Sequence, residues 1–218
     1  MKVDPKIIAK LLKGWEWSER THEIPFFFEH LPEPPIKILD VGCCDSQVIT
    51  ELDKLGYDAW GIDMHQYNWP YHKFMIADGR NMPFEDNSFD MVYSISVIEH
   101  AGLVRTPYDT DTKLDVLADV KIFNEMLRVV KPDGKIVITL PYGFGHPNLD
   151  FWIKFFNQER LEHLIDNDLF VMDKIEYTYC IDRVNFKWAP CDEYTARMQV
   201  SMKDKVMANM CFVGHKKI

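Results

Sequence analysis

Apolar residues fall along this chain in two alternating patterns. Strand-like runs are predicted at Ile36–Val41, Asp58–Ile62, Lys73–Ala77, Phe89–Ser94, Lys135–Leu140, Phe170–Ile181 and Met207–Lys216. Helical spacing predicts Ser46–Leu55, Leu114–Val130 and Asn157–Asn167. The middle helix is the clearest. Leu114, Leu117, Val120, Phe123 and Leu127 return at about 3.6-residue intervals, and Lys131-Pro132-Asp133-Gly134 stops the pattern. Ahead of the first strand lies an amphipathic piece carrying Ile7, Ile8, Leu11, Leu12 and Trp15, then Phe26-Phe27-Phe28. Leu31-Pro32-Glu33-Pro34-Pro35 separates it from the first strand. Strands alternating with helices predict an α/β fold, a doubly wound seven-stranded sheet that is mostly parallel. No helical pattern separates the last two strands, so the last strand is expected to run antiparallel, in a hairpin at one edge. Residues 182–206 between them are expected to be a long functional loop or a short helix. The whole chain, 1–218, reads as one domain. Residues 1–35 form a helical lead-in, 36–143 a ligand-binding half and 144–218 a substrate-side half with edge strands.

Composition narrows the function classes. Hydrophobic residues make up 47% of 218, enough for a sizeable core. The net charge of −9 argues against non-specific binding to nucleic acid or to an anionic membrane. No apolar run approaches the roughly 18–20 residues of a membrane span, and Met1-Lys2-Val3-Asp4-Pro5 begins no secretory leader pattern. None of the five cysteines stands in a Cys-x-x-Cys pair, and Cys43 and Cys44 are adjacent, an unfavourable geometry for a bond between them. Reduced thiols in a cytoplasmic protein are the expectation.

Ligands of open α/β sheets bind beyond the carboxyl ends of the strands. Those ends carry Asp40-Val41-Gly42-Cys43-Cys44, Asp63-Met64, Asp78-Gly79-Arg80, Ser94-Ile95-Ser96 leading to Glu99-His100, and Pro141-Tyr142-Gly143. The first loop has one glycine where a dinucleotide fingerprint has three, so it forms no pyrophosphate cradle. This argues against a nucleotide-sugar dehydrogenase and for a nucleoside with little or no phosphate. The acid ending the second strand is placed to accept two ribose hydroxyls.

Five ordered motifs carry a resemblance. They are Leu39-Asp40-Val41-Gly42-Cys43, Gly61-Ile62-Asp63, Ala77 to Phe84, Asn87 to Val92 and Leu127 to Lys135. Over Ile36–Gly143 the chain resembles the class I S-adenosylmethionine-dependent methyltransferases, which have a Rossmann-like sheet. The resemblance implies roles. Asp40, Gly42, Cys43 and Cys44 match the loop beneath the methionine part of the cofactor. Asp63 matches the ribose acid, with Met64 beside it. Asp78 and Gly79 match the adenine side, and Ser94 the strand-end carbonyl facing the cofactor's amino group. Cys44-Asp45-Ser46 departs from the family's usual Gly-x-Gly and bears on cofactor affinity. A finer resemblance over His65–Leu103 and the insertion Thr106–Asp115 is to bacterial methyltransferases of surface-polysaccharide and secondary-metabolite sugars. It implies O-methylation of a hydroxylated small molecule or glycan. The alternative is a cofactor-binding regulatory or inactive protein of the same fold. His100 is the candidate base, oriented by Glu99, or else a residue packed at a helix start; His146 is the second candidate. Some O-methyltransferases place Glu-x-x-Glu-His after the fourth strand to hold a divalent ion. Ser96 stands where the first ligand would be; Glu99, His100 and His146 offer at most a partial site, and no metal is expected.

Overall fold

The computed structural model describes residues 3–43, 47–66, 71, 73–104, 113–144, 153–201 and 205–218. Two short helices lead in, α1 (Pro5–Leu11) and α2 (Arg20–Glu29). Asp4 caps α1 by accepting the Lys6 backbone N–H at 2.9 Å, and Pro5 supplies a first helical residue that needs no hydrogen-bond partner. Next come β1 (Lys37–Val41), α3 (Val48–Lys54), β2 (Asp58–Asp63), β3 (Phe74–Ile76), β4 (Phe89–Ile95), α4 (Ala118–Val129) and β5 (Val130–Pro141). The remainder is α5 (Gln158–Leu164), β6 (Phe170–Asp182), β7 (Lys187–Cys191), α6 (Glu193–Arg197) and β8 (Ala208–Lys216).

The strands lie in the order β3-β2-β1-β4-β5-β8-β6-β7. β1 to β5 are mutually parallel, and β8 runs antiparallel to both β5 and β6. The strand order reverses between β1 and β4, which opens a crevice at their carboxyl ends.

Alternation along the strands divides the core. Leu39, Val41, Val92, Ile136 and Ile138 pack against Ile122, Phe123 and Met126 of α4 and Leu161 and Leu164 of α5. Ile38, Met91, Tyr93 and Val137 face the other way, onto Phe26, Phe27 and Phe28 of α2 and Val48, Ile49 and Leu52 of α3. Burying each α2 phenylalanine contributes on the order of 2 kcal/mol. That burial fixes α2 across the carboxyl end of β4 despite Pro25 within the helix.

The predicted sheet is corrected from seven strands to eight. The added strand, β7, comes from the 182–206 segment, which also holds the short helix α6. Pro190 argues against a strand, but β7 is the outermost one, where a missing N–H costs no ladder bond. The turn before it has no glycine. Asp182 Oδ1 instead accepts the N–H groups of Val184 and Asn185 at 2.9 and 3.0 Å, and Phe186 takes φ 50°. The last strand is antiparallel as expected, but it lies between β5 and β6 and not at the edge. α4 starts at Ala118, four residues later than predicted. Asp115 accepts from the Leu117 N–H and its own N–H goes to Gly102, which leaves Leu114 and Leu117 exposed in a turn.

Candidate active site

The crevice between β1 and β4 holds two adjacent chambers that share part of their lining. The larger encloses about 650 Å³ and is walled by Asp40, Glu99 and Asn209 among others, with Trp15 and Trp17 exposed at its mouth. The smaller encloses about 100 Å³ between Met64, Asp78, Gly79, Ala101 and Ile122. Gly42, Asp63, Val97 and His100 line both, so they mark the junction.

The wall at Gly42 requires glycine. Its φ is 80°, and a Cβ there would stand 2.1 Å from Val97 Cγ1. Its N–H is tied to the Ile62 carbonyl at 2.9 Å, which pins the loop across the end of β2. Asp40 and Tyr93 are register partners on adjacent strands, and Tyr93 Oη donates to Asp40 Oδ2 at 2.8 Å. Burial pushes the Asp40 carboxyl up to about 8, the Tyr93 hydrogen bond opposes the rise, and the neighbouring Asp63 charge adds to it. Asp63 ends β2, buried, and accepts the His65 N–H at 2.8 Å. In the smaller chamber Arg80 forks onto Asp78, with Nη2 to Oδ2 at 2.7 Å. Burial disfavours the Asp78 charge, but the Arg80 hydrogen bonds prevail and hold it below the usual carboxylate range.

The larger chamber has a polar floor built by α2. Glu23, fully buried, accepts from Arg20 Nη1 at 2.7 Å on one oxygen. Its other oxygen accepts from Ser96 Oγ and from Asn209 Nδ2, the latter at 2.8 Å. Ser96 turns the chain with φ 48°, held by hydrogen bonds from its N–H to the Thr139 carbonyl and hydroxyl. Beside this floor Glu99 Oε1 lies 3.8 Å from His100 Nε2. Burial pushes the Glu99 carboxyl up to about 8, and the charge of Glu23 contributes in the same direction. At the mouth Lys205 Nζ lies 3.6 Å from the ring centre of Trp17.

The crevice brings together Asp40, Gly42, Asp63, Met64, Asp78, Gly79, Glu99 and His100. Two expected residues are placed otherwise. Cys43 is fully buried, with its Sγ against Gly61, and lines neither chamber. Ser94 lies within β4, its hydroxyl donating to the Val41 carbonyl at 3.0 Å, because the strand runs on to Ile95; Ile95 and Ser96 line the chamber instead. Cys44 and His146 lie outside the described residues. Glu19, Arg20, Glu23, Tyr93 and Asn209 are site residues that sequence reasoning missed. A signal existed for the first three: they sit at the start of the helix that buries Phe26 and Phe27. Among the described residues no group of three or more His, Cys, Asp or Glu side chains is arranged to hold a metal ion. Among them, too, no helix is long and apolar enough to cross a membrane.

Residues 39–138 match the family model of a methyltransferase domain. Phosphoethanolamine N-methyltransferase 2 of Caenorhabditis elegans is 31% identical over 52% of this chain and 25% of its own length. The chloroplastic tocopherol O-methyltransferase of Arabidopsis thaliana is 27% identical over 75% of this chain and 42% of its own length. The chain thus spans well under two thirds of either relative. In fold it is similar to a crystal structure of an S-adenosylmethionine-dependent methyltransferase from Methanosarcina mazei. That match has a TM-score of 0.61 at 16% identity and covers 89% of this chain and 98% of the other. The matched domain, the ordered motifs and the shared sheet agree: residues 39–138 are a methyltransferase domain, and the chain has the fold of S-adenosylmethionine-dependent methyltransferases.

Proposed function

We propose that the chain, acting as one methyltransferase domain over 1–218, transfers a methyl group from S-adenosylmethionine to a hydroxyl of a small molecule or sugar. The observation that carries this reading is the junction: Gly42, Asp63, Val97 and His100 line both chambers, so a ligand reaching from one chamber to the other passes the imidazole. The residues present fit the cofactor. Asp63 would accept the ribose hydroxyls. Asp78, Gly79 and Met64 would flank the base in the smaller chamber. Gly42, whose missing side chain keeps the loop close, would pass beneath the methionine part, with Asp40 favouring the positive sulfonium. Bound there, S-adenosylmethionine supplies an electrophilic methyl group and leaves as a neutral thioether.

The protein's own part is positioning and proton transfer. Holding the acceptor oxygen about 3–3.5 Å from the methyl carbon supplies most of the acceleration. His100 takes the hydroxyl proton as the new C–O bond forms, worth roughly 10²–10⁴-fold, and Glu99 orients the ring. The tocopherol enzyme's name as an O-methyltransferase supports the hydroxyl reading. A cytoplasmic site of action belongs to the same reading, from the thiol content of the chain. Calorimetry with the demethylated cofactor and with NAD, followed by methyl-transfer assays on hydroxylated acceptors, tests it. Binding of the demethylated cofactor and cofactor-dependent O-methylation are expected. Binding of NAD alone would overturn the proposal.

A further inference from the structure

Lys10, Lys13, Arg20 and Lys205 line the larger chamber, in a chain whose net charge is −9. They are not equivalent. Lys10 pairs with Glu51 at 2.6 Å and Arg20 with Glu23 at 2.7 Å, so both charges are answered within the protein. Lys13 stands exposed on the lead-in. Lys205 is half-buried, and among the described residues it forms no ion pair. Its ammonium is held by rings instead: Nζ lies 3.6 Å from the ring centre of Trp17 and 5.5 Å from that of Phe186. A ring face attracts the cation without supplying the lone pairs that its three N–H donors can bond, so that capacity remains. The seat is assembled from three distant segments. Phe186 is carried in on the β6–β7 turn with φ 50°, a conformation that bulky residues rarely adopt, and its ring meets Trp17 edge-on with centroids 6.5 Å apart. Trp15 adds a second indole 5.9 Å from Trp17, and both are 40% exposed, so their rings are open to a ligand. Glu19 is the acid whose charge faces Lys205; burial and the charge of Glu23 push its carboxyl up, which weakens that opposition. Lys205 precedes β8, which lies beyond β5. The residues assigned to the nucleoside lie on the other side of the crevice, Asp63 at the end of β2 and Asp78 just after β3.

Resting on the methyl-transfer reading above, we infer that Lys205 is a specificity residue that binds an anionic substituent, a carboxylate or a phosphate ester, on a hydroxylated ring acceptor. The ring of such an acceptor lies against the exposed indoles, its anionic group takes the Lys205 N–H donors, and one of its hydroxyls reaches His100 in the same chamber. The chamber's volume of about 650 Å³ is that of an ordinary small-molecule site. An anion at the mouth meets little repulsion from the chamber's depth. Burial pushes the Asp40 and Glu99 carboxyls up to about 8, so both are mostly protonated at pH 7. A neutral counterpart offers the same ring but forgoes the charge-assisted hydrogen bonds, and that difference sets the preference.

The test is calorimetry on the full chain, with and without the demethylated cofactor, using ligands that differ in charge at one substituent. Glucuronate and glucose 6-phosphate are set against glucose, and 3,4-dihydroxybenzoate against 3,4-dihydroxybenzyl alcohol; the two sets separate a sugar ring from an aromatic one. In at least one set an anionic member is expected to bind about tenfold more tightly than its neutral partner, and more weakly as salt is added. Lys205→Gln should abolish that difference by weakening the anion alone, and Lys205→Arg should restore it. Crystals soaked with the preferred anion should show its charged group on Lys205 Nζ. Neutral partners that bind as tightly as the anions in both sets would overturn the inference. So would Lys205→Gln lowering both affinities alike together with the melting temperature, which marks Lys205 as a clamp between the lead-in and the β6–β7 hairpin. An anion seated on Lys10 or Lys13, or a Lys205→Gln protein that loses affinity only for the demethylated cofactor, would overturn it as well. Failure of the demethylated cofactor to bind at Asp63 would strike the methyl-transfer reading alone, because the titrations without cofactor still decide the charge preference.

Discussion

Tyr93 and Asp40 form a buried hydroxyl–carboxyl pair, 2.8 Å apart, on neighbouring strands at the wall of the crevice. The hydroxyl is what draws the Asp40 carboxyl back toward ionisation against its burial. Tyr93→Phe should therefore raise the Asp40 pKa further and weaken binding of S-adenosylmethionine, whose sulfonium the ionised carboxyl favours, at pH 7 by about 1 kcal/mol. The loss should shrink as pH is raised. Calorimetry across pH checks this, and a pH-independent loss would reject the link.

Asp63→Ala should cost roughly 1.5–3 kcal/mol of cofactor affinity, the range for hydrogen bonds to a charged group. Circular dichroism would establish that the variant is folded. An unchanged dissociation constant in a folded variant removes Asp63 from the ribose site.

Replacing His100 with Gln should lower kcat by about 10²-fold while cofactor affinity stays near that of the parent protein. In the parent, turnover should rise with pH as the neutral imidazole forms. If the residue only packs the turn after β4, the melting temperature falls and the folded fraction keeps its activity.

Asp40 and Glu99 both have their carboxyls pushed up to about 8 in the folded chain by burial, against roughly 4 in an unfolded one. The folded state holds these two protons more tightly. Their stabilising effect is complete below about pH 4 and is lost as pH rises through 8. The ligand-free melting temperature should fall over that window, and Asp40→Asn should flatten the fall while weakening cofactor binding. Binding of the positively charged cofactor near pH 7 should release protons, measurable as a dependence of calorimetric heat on buffer ionisation enthalpy.

Gly42→Ala places a methyl group against Val97 in a backbone conformation that alanine disfavours. The backbone strain alone is on the order of 1 kcal/mol. A lowered melting temperature and loss of cofactor binding are expected together.

How far the sequence was legible depended on where each signal lay. Asp63 was readable because an apolar run stops on it at a strand end. α4 was readable because Val120, Phe123 and Leu127 keep one face to the core. β7 was hidden: its turn is made by an aspartate side chain, and Pro190 counts against a strand unless its edge position is known. Glu23 was hidden for a different reason. A glutamate in a helix ordinarily marks the solvent face, and only the tertiary placement of α2 over β4 and β8 buries it. Asn209 sits in an apolar run that reads as pure core, and its partner is 186 residues away.

That separation sets an order of assembly. Residue 209 lies on β8, which slots between β5 and β6, while Glu23 belongs to α2 near the start of the chain. During synthesis the nucleoside-side half, with β1 to β4, emerges well before the floor can close. Until β8 enters, β5 and β6 have no strand between them and Glu23 lacks the Asn209 amide. The residues of the smaller chamber are therefore all synthesised early, and the floor of the larger one is finished only when the strand carrying Asn209 has left the ribosome.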